Sequence, residues 1–393
     1  MSFQPQLVLV DANLAEHPRT RRILRRCRRS EVRLVSNGNV PAGNKRSDSR
    51  RSLESGIDSV VSGGHPERMS LTQGKKVLWL TTHQGAWLKK CPGTAGQVCC
   101  NYYILHQAGG CRFDCSYCFL QGYQNNPVLQ HHVNLEDGLA ELSAALKTLP
   151  GMVRLGTGEY TDSLNLDHLT DFSLELLEFS QTQKNLWVEF KTKGDYVENI
   201  LKFPANGRVV VGFSLMPAEI SKQVDHKTAT VAERLSAAAR VAAVGHRVAI
   251  HLDPMIRYGG WEQGYADLIA QISAAVPFSA LAWVSLGSLR FTPELKKQAL
   301  FRMPNSSIFQ AEFLRGDDGK MHYLRPVRVG MYRHVLDHIR RHWPRALTYL
   351  CMESPEVWEG VFGFKPACGH TMGAMFDERL SRPSAIAAAP AAR

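Results

Sequence analysis

Between residues 102 and 353, short apolar runs alternate with helical stretches, and this alternation restricts the fold more than any other feature. The strand-like runs are YYILHQ (102–107), MVRLGTG (152–158), NLWVEFKTK (185–193), RVVVGFSLM (208–216), RVAIHLDPM (247–255), LAWVSLGSL (281–289) and LTYLCME (347–353). Between them lie helix-like segments such as LEDGLAELSAALKTL and TVAERLSAAARVAAVG. A repeated β-then-α order implies a parallel sheet with right-handed crossovers. Six or seven such units predict an α/β fold, a full or partial (β/α) barrel whose chemistry lies at the C-terminal ends of its strands. No tandem repeat is visible.

The 393 residues are 44% hydrophobic, enough for such a core. Ahead of the barrel, LVLVD (7–11) reads as a strand, HPRTRRILRRCRR as a helix and EVRLVS (31–36) as a second strand. Residues 1–36 are therefore expected to form a basic, βαβ-like lead-in. Residues 37–74 are polar and Gly-rich and read as a flexible linker. The barrel is expected over 75–380, followed by a disordered Ala/Pro-rich tail over 381–393.

Charge is uneven. Residues 1–76 hold 15 Lys/Arg against 7 Asp/Glu, most of the net +11. The run RTRRILRRCRRS (19–30) supplies seven arginines. It reads either as a phosphate-binding patch or as a solvated helix face with Ile23, Leu24 and Cys27 turned inward. No run approaches the ~18 apolar residues of a membrane helix, and MSFQPQLVLVDAN lacks the layout of a secretory signal. Nine unevenly spaced cysteines favour a reducing, cytoplasmic setting in which thiolates serve metal or chemistry.

Three of them, Cys111, Cys115 and Cys118, form C-x3-C-x2-C in GGCRFDCSYCFLQGYQNNP (109–127). Three thiolates this close can serve three corners of a [4Fe–4S] cluster, leaving one iron open. A structural zinc site is the other reading, with His106, His131 or His132 as fourth ligand. The cluster reading is preferred because the triplet follows the first barrel strand, where catalytic loops belong. Cys91, Cys99 and Cys100 lack an evident fourth ligand, and Cys368 with His370 is a weak metal candidate.

C-x3-C-x2-C after the first strand resembles the signature of the radical S-adenosylmethionine (SAM) superfamily. KKCPGTAGQVCCNYYILHQAGGCRFDCSYCFLQGYQNNP, GTGEYTDSLNLDHLT, FKTKGDYVENIL, FSLMP, HKTATVAERLSAAARVA, DPMIRYGGWEQGY and LRFTPE resemble, in this order, the spore photoproduct lyase family. The resemblance covers about residues 77–300. It implies a [4Fe–4S] cluster on Cys111, Cys115 and Cys118, with SAM on the open iron. It also implies an electron donor such as flavodoxin or ferredoxin, and a DNA substrate. Tyr117 and Phe119 flank Cys118, and Phe119 is expected near the adenine. Glu159, in GTGE, suits the SAM ammonium. Thr161 matches a hydroxyl offered to SAM, Lys193 a lysine that pairs with its carboxylate, and Ser214 a serine at the same end.

The chain departs from the lyase at three positions. The lyase's hydrogen-donor cysteine, at the end of the second barrel strand, corresponds to Glu159. A tyrosine after the last cluster cysteine corresponds to Phe119. A second tyrosine corresponds to Phe291, although the adjacent substrate-contacting arginine is kept as Arg290. S–H and phenolic O–H bonds are weaker than C–H and give hydrogen faster to a carbon radical. Either another thiol has taken over, with Cys351, Cys99 and Cys100 as candidates, or the chemistry differs.

Three functions are therefore open: a radical SAM enzyme on a damaged pyrimidine in DNA, one on a small molecule or peptide, and a non-catalytic iron–sulfur nucleic-acid-binding protein.

Overall fold

The computed structural model describes residues 3–35, 69–94, 96–124, 126–366 and 369–381. Most of the expected linker, the tail from 382 onward, Cys368 and the side chain of His370 lie outside the described residues.

The chain opens with β1 (Leu7–Asp11), whose five residues LVLVD are all buried. A helix over Pro18–Arg26 follows, with Pro18 in its first turn and the His17 ring accepting from the Arg19 amide at 3.3 Å. β2 (Glu31–Val35) returns parallel to β1 and is an edge strand with exposed side chains. These elements form a parallel β-α-β unit. The sheet continues past the linker: β3 (Val77–Thr81) pairs with the other side of β1. The first sheet therefore draws on both sides of the residue-75 boundary.

Next come β4 (Leu88–Lys90), β5 (Tyr103–Leu105), β6 (Ala108–Gly109) and β7 (Leu129–His132). β7 runs parallel to β3, and β6 lies antiparallel to β7. The first sheet is thus ordered β2-β1-β3-β7-β6.

The larger sheet uses β8 (Val153–Gly156), β9 (Leu186–Thr192), β10 (Val209–Ser214), β11 (Arg247–Met255) and β12 (Leu281–Ser288). A small antiparallel sheet of β13 (Arg290–Phe291), β14 (Phe313–Arg315) and β15 (Met321–Tyr323) follows, ordered β13-β15-β14. β16 (Thr348–Leu350) completes the large sheet, whose order is β16-β12-β11-β10-β9-β8-β5-β4. All its pairs are parallel except β4 with β5. With β4 and β16 as free edges, the sheet is a partial barrel. Its strands are buried almost throughout, as expected where helices cover one face and the barrel interior the other.

Helices lie where the sequence placed them. Leu135–Leu146 and Val231–Ala243 fall inside the two quoted segments. The second begins with a reciprocal capping box between Thr230 and Glu233. It buries Leu235, Ala238 and Val241. Among the described residues no helix is long and apolar enough to cross a membrane.

The arginine-rich helix turns Ile23, Leu24 and Cys27 inward and leaves Arg21, Arg25, Arg28 and Arg29 exposed, as the solvated-face reading expects. Ile23 and Cys27 are buried and Leu24 is half-buried. Several arginines, however, face carboxylates of the barrel helices rather than open solvent. Arg19 pairs with Glu175 at 2.7 Å and with Glu136. Arg22 also pairs with Glu175, and Arg26 reaches Asp171 at 2.6 Å. Arg19, Arg22 and Arg26 therefore fasten the first sheet's helix to the barrel and are not free phosphate ligands.

Candidate active site

The three motif cysteines follow β5 and β6, at the C-terminal side of the large sheet. Gly110 has φ +80°, and a Cβ there would meet the Val128 carbonyl oxygen at 3.0 Å, so the loop can turn beside β7 only with glycine. The Gly110 amide donates to the Tyr160 carbonyl at 3.0 Å. The Ser116 amide donates to the Val224 carbonyl at 2.9 Å, and Gln121 Nε2 to the carbonyls of Cys115 and Ser116 at 3.1 and 3.0 Å. Inside the loop, Asp114 binds Lys75 at 2.9 Å and Arg302 at 2.7 Å.

Cys111 and Cys118 line one pocket, together with Lys75, Gln121 and Gln124. Burial pushes the Cys111 thiol up to about 12, Cys115 well above its ordinary value and Cys118 upward as well. Cys118 raises Cys111, and both of them raise Cys115, which places the three together. Thiolates crowded in this way need a positive group between them. Among the described residues, the group whose ligand atoms approach within 4.8 Å of one another is His83, His106 and His132, not the cysteine triplet. Three cysteines on one tight loop can serve three corners of a [4Fe–4S] cluster. His106 and His132 face each other rather than the cysteines, while His131 is buried near Arg19 and Arg22.

The strand ends beside this loop carry charge. Asp162 accepts from Thr192 Oγ1 at 2.8 Å and from the Lys193 amide at 2.7 Å, joining the turn after β8 to the end of β9. The Thr161 hydroxyl accepts from Asn165 Nδ2 at 2.7 Å, and Asn165 Oδ1 accepts from the Arg112 amide at 3.3 Å. Thr161 is thus tied to the cysteine loop through Asn165. The Lys193 ammonium lies 5.6 Å from the Tyr117 ring centroid and makes no ion pair within 4.0 Å among the described residues. Tyr117 donates its hydroxyl to Asp225, which pairs with Arg234 at 3.0 Å with both side chains fully buried. Burial alone would raise Asp225, yet Lys193 and Arg234 take it below the ordinary carboxylate value. Arg234 also donates to the Ser214 carbonyl at 2.8 Å, fixing the end of β10.

Glu159 stands apart. It faces Lys89, burial raises its carboxyl, and its Oε2 is buried with no hydrogen-bond partner. Phe119 is 50% exposed, with its ring 6.0 Å from Tyr123.

Toward the β16 edge of the same strand-end rim, Arg290 Nη2 is 3.2 Å from Asp253 Oδ2, 3.4 Å from Met352 Sδ and 4.0 Å from Cys351 Sγ. Gly287 on β12 makes room for this, because a Cβ there would meet the Asp253 carboxylate at 2.7 Å. Burial would raise Asp253, but Arg290 first and Lys191 next bring it down to about 2. Withdrawal from water, reinforced by Asp253, pushes the Cys351 thiol up to about 12. Cys351 interacts with Cys100, and Cys91 with Cys99, Cys100 and Cys351. The loop carrying Cys99 reaches β16's end, where the Val98 amide donates to the Glu353 carbonyl at 3.0 Å.

A family model described as spore photoproduct lyase matches residues 96–338. The chain belongs to the spore photoproduct lyase family. Curated relatives named spore photoproduct lyase include one from Geobacillus sp., 28% identical over 211 residues, 52% of this chain and 62% of the relative. Another, from Bacillus subtilis, is 29% identical over 178 residues, 44% of this chain and 52% of the relative. The matches thus span about half to three-fifths of those relatives' length. Crystal structures of spore photoproduct lyase with dinucleoside spore photoproduct, one of them a cysteine-to-alanine mutant, share the fold at TM-score 0.74. They are 21–22% identical, and the match covers 89% of this chain and 100% of theirs.

Within this family framework the fold brings Arg290 next to Cys351, and Lys193 next to Tyr117 and the cysteine loop. It leaves Glu159 beside Lys89. Phe291 is buried against Phe309 and Phe313, with no polar function. Sequence reasoning missed Asp162, Asp225, Asp253, Lys191 and Arg234. All but Lys191 are held by partners on other elements; the quoted motifs contained all of them except Asp225, which immediately precedes HKTATVAERLSAAARVA.

Proposed function

We propose that this chain is a radical SAM enzyme of lyase type, acting on a damaged pyrimidine in DNA and ending its reaction at Cys351. The observation that carries this reading is the 4.0 Å approach of Cys351 Sγ to Arg290, at the strand-end side of the sheet that also presents the cysteine loop. The family assignment and the relatives' names support the lesion substrate. Cys111, Cys115 and Cys118 would hold a [4Fe–4S] cluster with SAM on its open iron. When bound, cluster and SAM together supply the one-electron cleavage that yields a hydrogen-abstracting adenosyl radical.

The chain's own groups do the rest. Lys193, with no ion pair within 4.0 Å among the described residues and backed by the Tyr117 ring, pairs with the SAM carboxylate. Ser214 adds a hydrogen bond at that end. The unpartnered Glu159 oxygen accepts from the SAM ammonium. Phe119 offers an exposed ring face to the adenine, and Thr161 steadies the turn below. Arg290, held by Asp253, binds the lesion. Cys351 remains a neutral thiol at physiological pH and so keeps the hydrogen atom that Glu159, Phe119 and Phe291 cannot give. Donation leaves a thiyl radical at Cys351 Sγ, which one electron and one proton would return to the thiol. A flavodoxin or ferredoxin would supply electrons in a cytoplasmic setting.

The test is anaerobic reconstitution followed by assay for 5′-deoxyadenosine with SAM and reductant. Formation that rises with added dinucleoside spore photoproduct and is abolished in Cys115→Ala supports the reading. A protein with its full iron complement that makes no 5′-deoxyadenosine returns it to the non-catalytic alternative. SAM cleavage that ignores the dinucleoside points to another substrate.

A further inference from the structure

Three histidines meet where the first sheet joins the barrel. His83 follows β3, His132 ends β7 and His106 follows β5. Their ring centroids are 4.6 Å apart for His83 and His106, 4.9 Å for His83 and His132, and 5.2 Å for His106 and His132. Their ligand nitrogens all lie within 4.8 Å of one another. Zinc–nitrogen bonds of ~2.0–2.1 Å would place the nitrogens of a filled tetrahedral site somewhat closer, within reach of small ring rotations.

Ring packing alone does not account for this group. His132 is 5% exposed, and both of its ring nitrogens are buried without a hydrogen-bond partner. A neutral imidazole must carry N–H on one nitrogen and a lone pair on the other. Buried ring nitrogens of this kind are normally met by a partner such as an ion or a water. His106 Nδ1 is also buried and unpartnered. His83 shows the complementary feature: its Nε2 faces the Ala86 carbonyl at 3.2 Å, leaving Nδ1 for a metal. That is the outer contact by which metal-binding histidines are usually oriented.

The backbone around the cluster is fixed. Asn134 brackets His83, accepting from its amide at 2.9 Å and donating to its carbonyl at 3.1 Å. The His106 amide donates to the Trp87 carbonyl at 2.9 Å, and the His132 amide to the Gln107 carbonyl at 3.2 Å. Trp87 walls the site, 5.1 Å from His83 and 5.8 Å from His132, and Tyr160 lies 4.4 Å from His106. Glu141 and Lys89 contribute opposite charges nearby.

We propose that His83, His106 and His132 form a zinc site that clasps the first sheet to the barrel. Three imidazoles without a carboxylate suit Zn2+ among the divalent ions. The site is separate from the cysteine loop and does not depend on the cluster. It leaves a fourth coordination position to water.

The experiment uses the full chain with its iron–sulfur cluster reconstituted, so that the motif cysteines are occupied. Zinc is added in slight excess, unbound metal is removed, and zinc and iron are counted by mass spectrometry. X-ray absorption at the zinc edge then reads the ligands. The expected result is one zinc per chain in a nitrogen/oxygen shell at ~2.0–2.1 Å with imidazole scattering. His83→Ala and His132→Gln should each weaken zinc binding at least ten-fold while iron content holds. His83 is only half-buried, so His83→Ala carries the test if His132→Gln fails to fold, with folding followed by circular dichroism. Failure of the wild type to retain zinc, a sulfur shell, or full zinc retention in His83→Ala would overturn the proposal.

Discussion

The guanidinium of Arg290 lies 4.0 Å from Cys351 Sγ, although 61 residues separate the two in sequence. Arg290 begins the small sheet after β12, and Cys351 follows β16, the strand paired with β12. A thiol is thereby delivered beside the arginine that the family resemblance assigns to substrate. Glu159, at the lyase's donor position, has no comparable link to Arg290.

The thiols should differ in reactivity. Cys91 donates to Cys99 and lowers the Cys99 thiol below its ordinary value, whereas Cys351 is raised to about 12. The thiolate is the reactive form, and its fraction rises about tenfold per pH unit below the pKa. In cluster-free protein at pH 7, iodoacetamide should label Cys99 first. Cys351 should react only as pH climbs toward that value. Peptide mass spectrometry across a pH series reads the order, and early labelling of Cys351 would remove the neutral-thiol argument.

Lys193→Ala should weaken SAM binding. A charge-assisted contact to a carboxylate is worth roughly 1.5–3 kcal/mol, or about 10- to 100-fold in affinity. Equilibrium binding checks this. Lys193→Arg should recover part of the loss, because it keeps the charge but not the point geometry.

Arg234→Met should destabilise the fold by about 3–5 kcal/mol, because it removes the only cation within 4.0 Å of the buried Asp225 among the described residues. Denaturant unfolding measures it. Asp225→Asn in the same background should restore part of the stability by removing that charge. It should also weaken SAM binding, since Asp225 orients Tyr117 beside Lys193.

The parallel strands of the larger sheet were legible because buried parallel strands are nearly continuous apolar runs, whereas the exposed antiparallel β4 was not. All seven such runs contain an observed strand. β7 was not legible, because LQHH has no apolar pattern and acquires strand character only by pairing with β3 and β6. The cysteine loop could be read from local spacing. The ion pairs could not: Asp253 finds Arg290 37 residues on, and Arg19 finds Glu175 156 residues on. For the same reason the arginine-rich helix read as a surface or a phosphate patch, although its carboxylate partners stand on two barrel helices. The gathering of His106 and His132 with His83 was likewise invisible, since it depends on three strand ends from two sheets.

The most direct test of the account is solvent labelling during turnover. A thiol exchanges its hydrogen with water, whereas a C–H bond does not. The wild-type enzyme, given dinucleoside spore photoproduct, SAM and reductant in D2O, should release thymine products carrying one solvent deuterium per lesion, read by mass spectrometry. Cys351→Ala should lose clean release while still forming 5′-deoxyadenosine. Unlabelled products from the wild type, or undiminished labelled release from Cys351→Ala, would contradict Cys351 as the hydrogen donor.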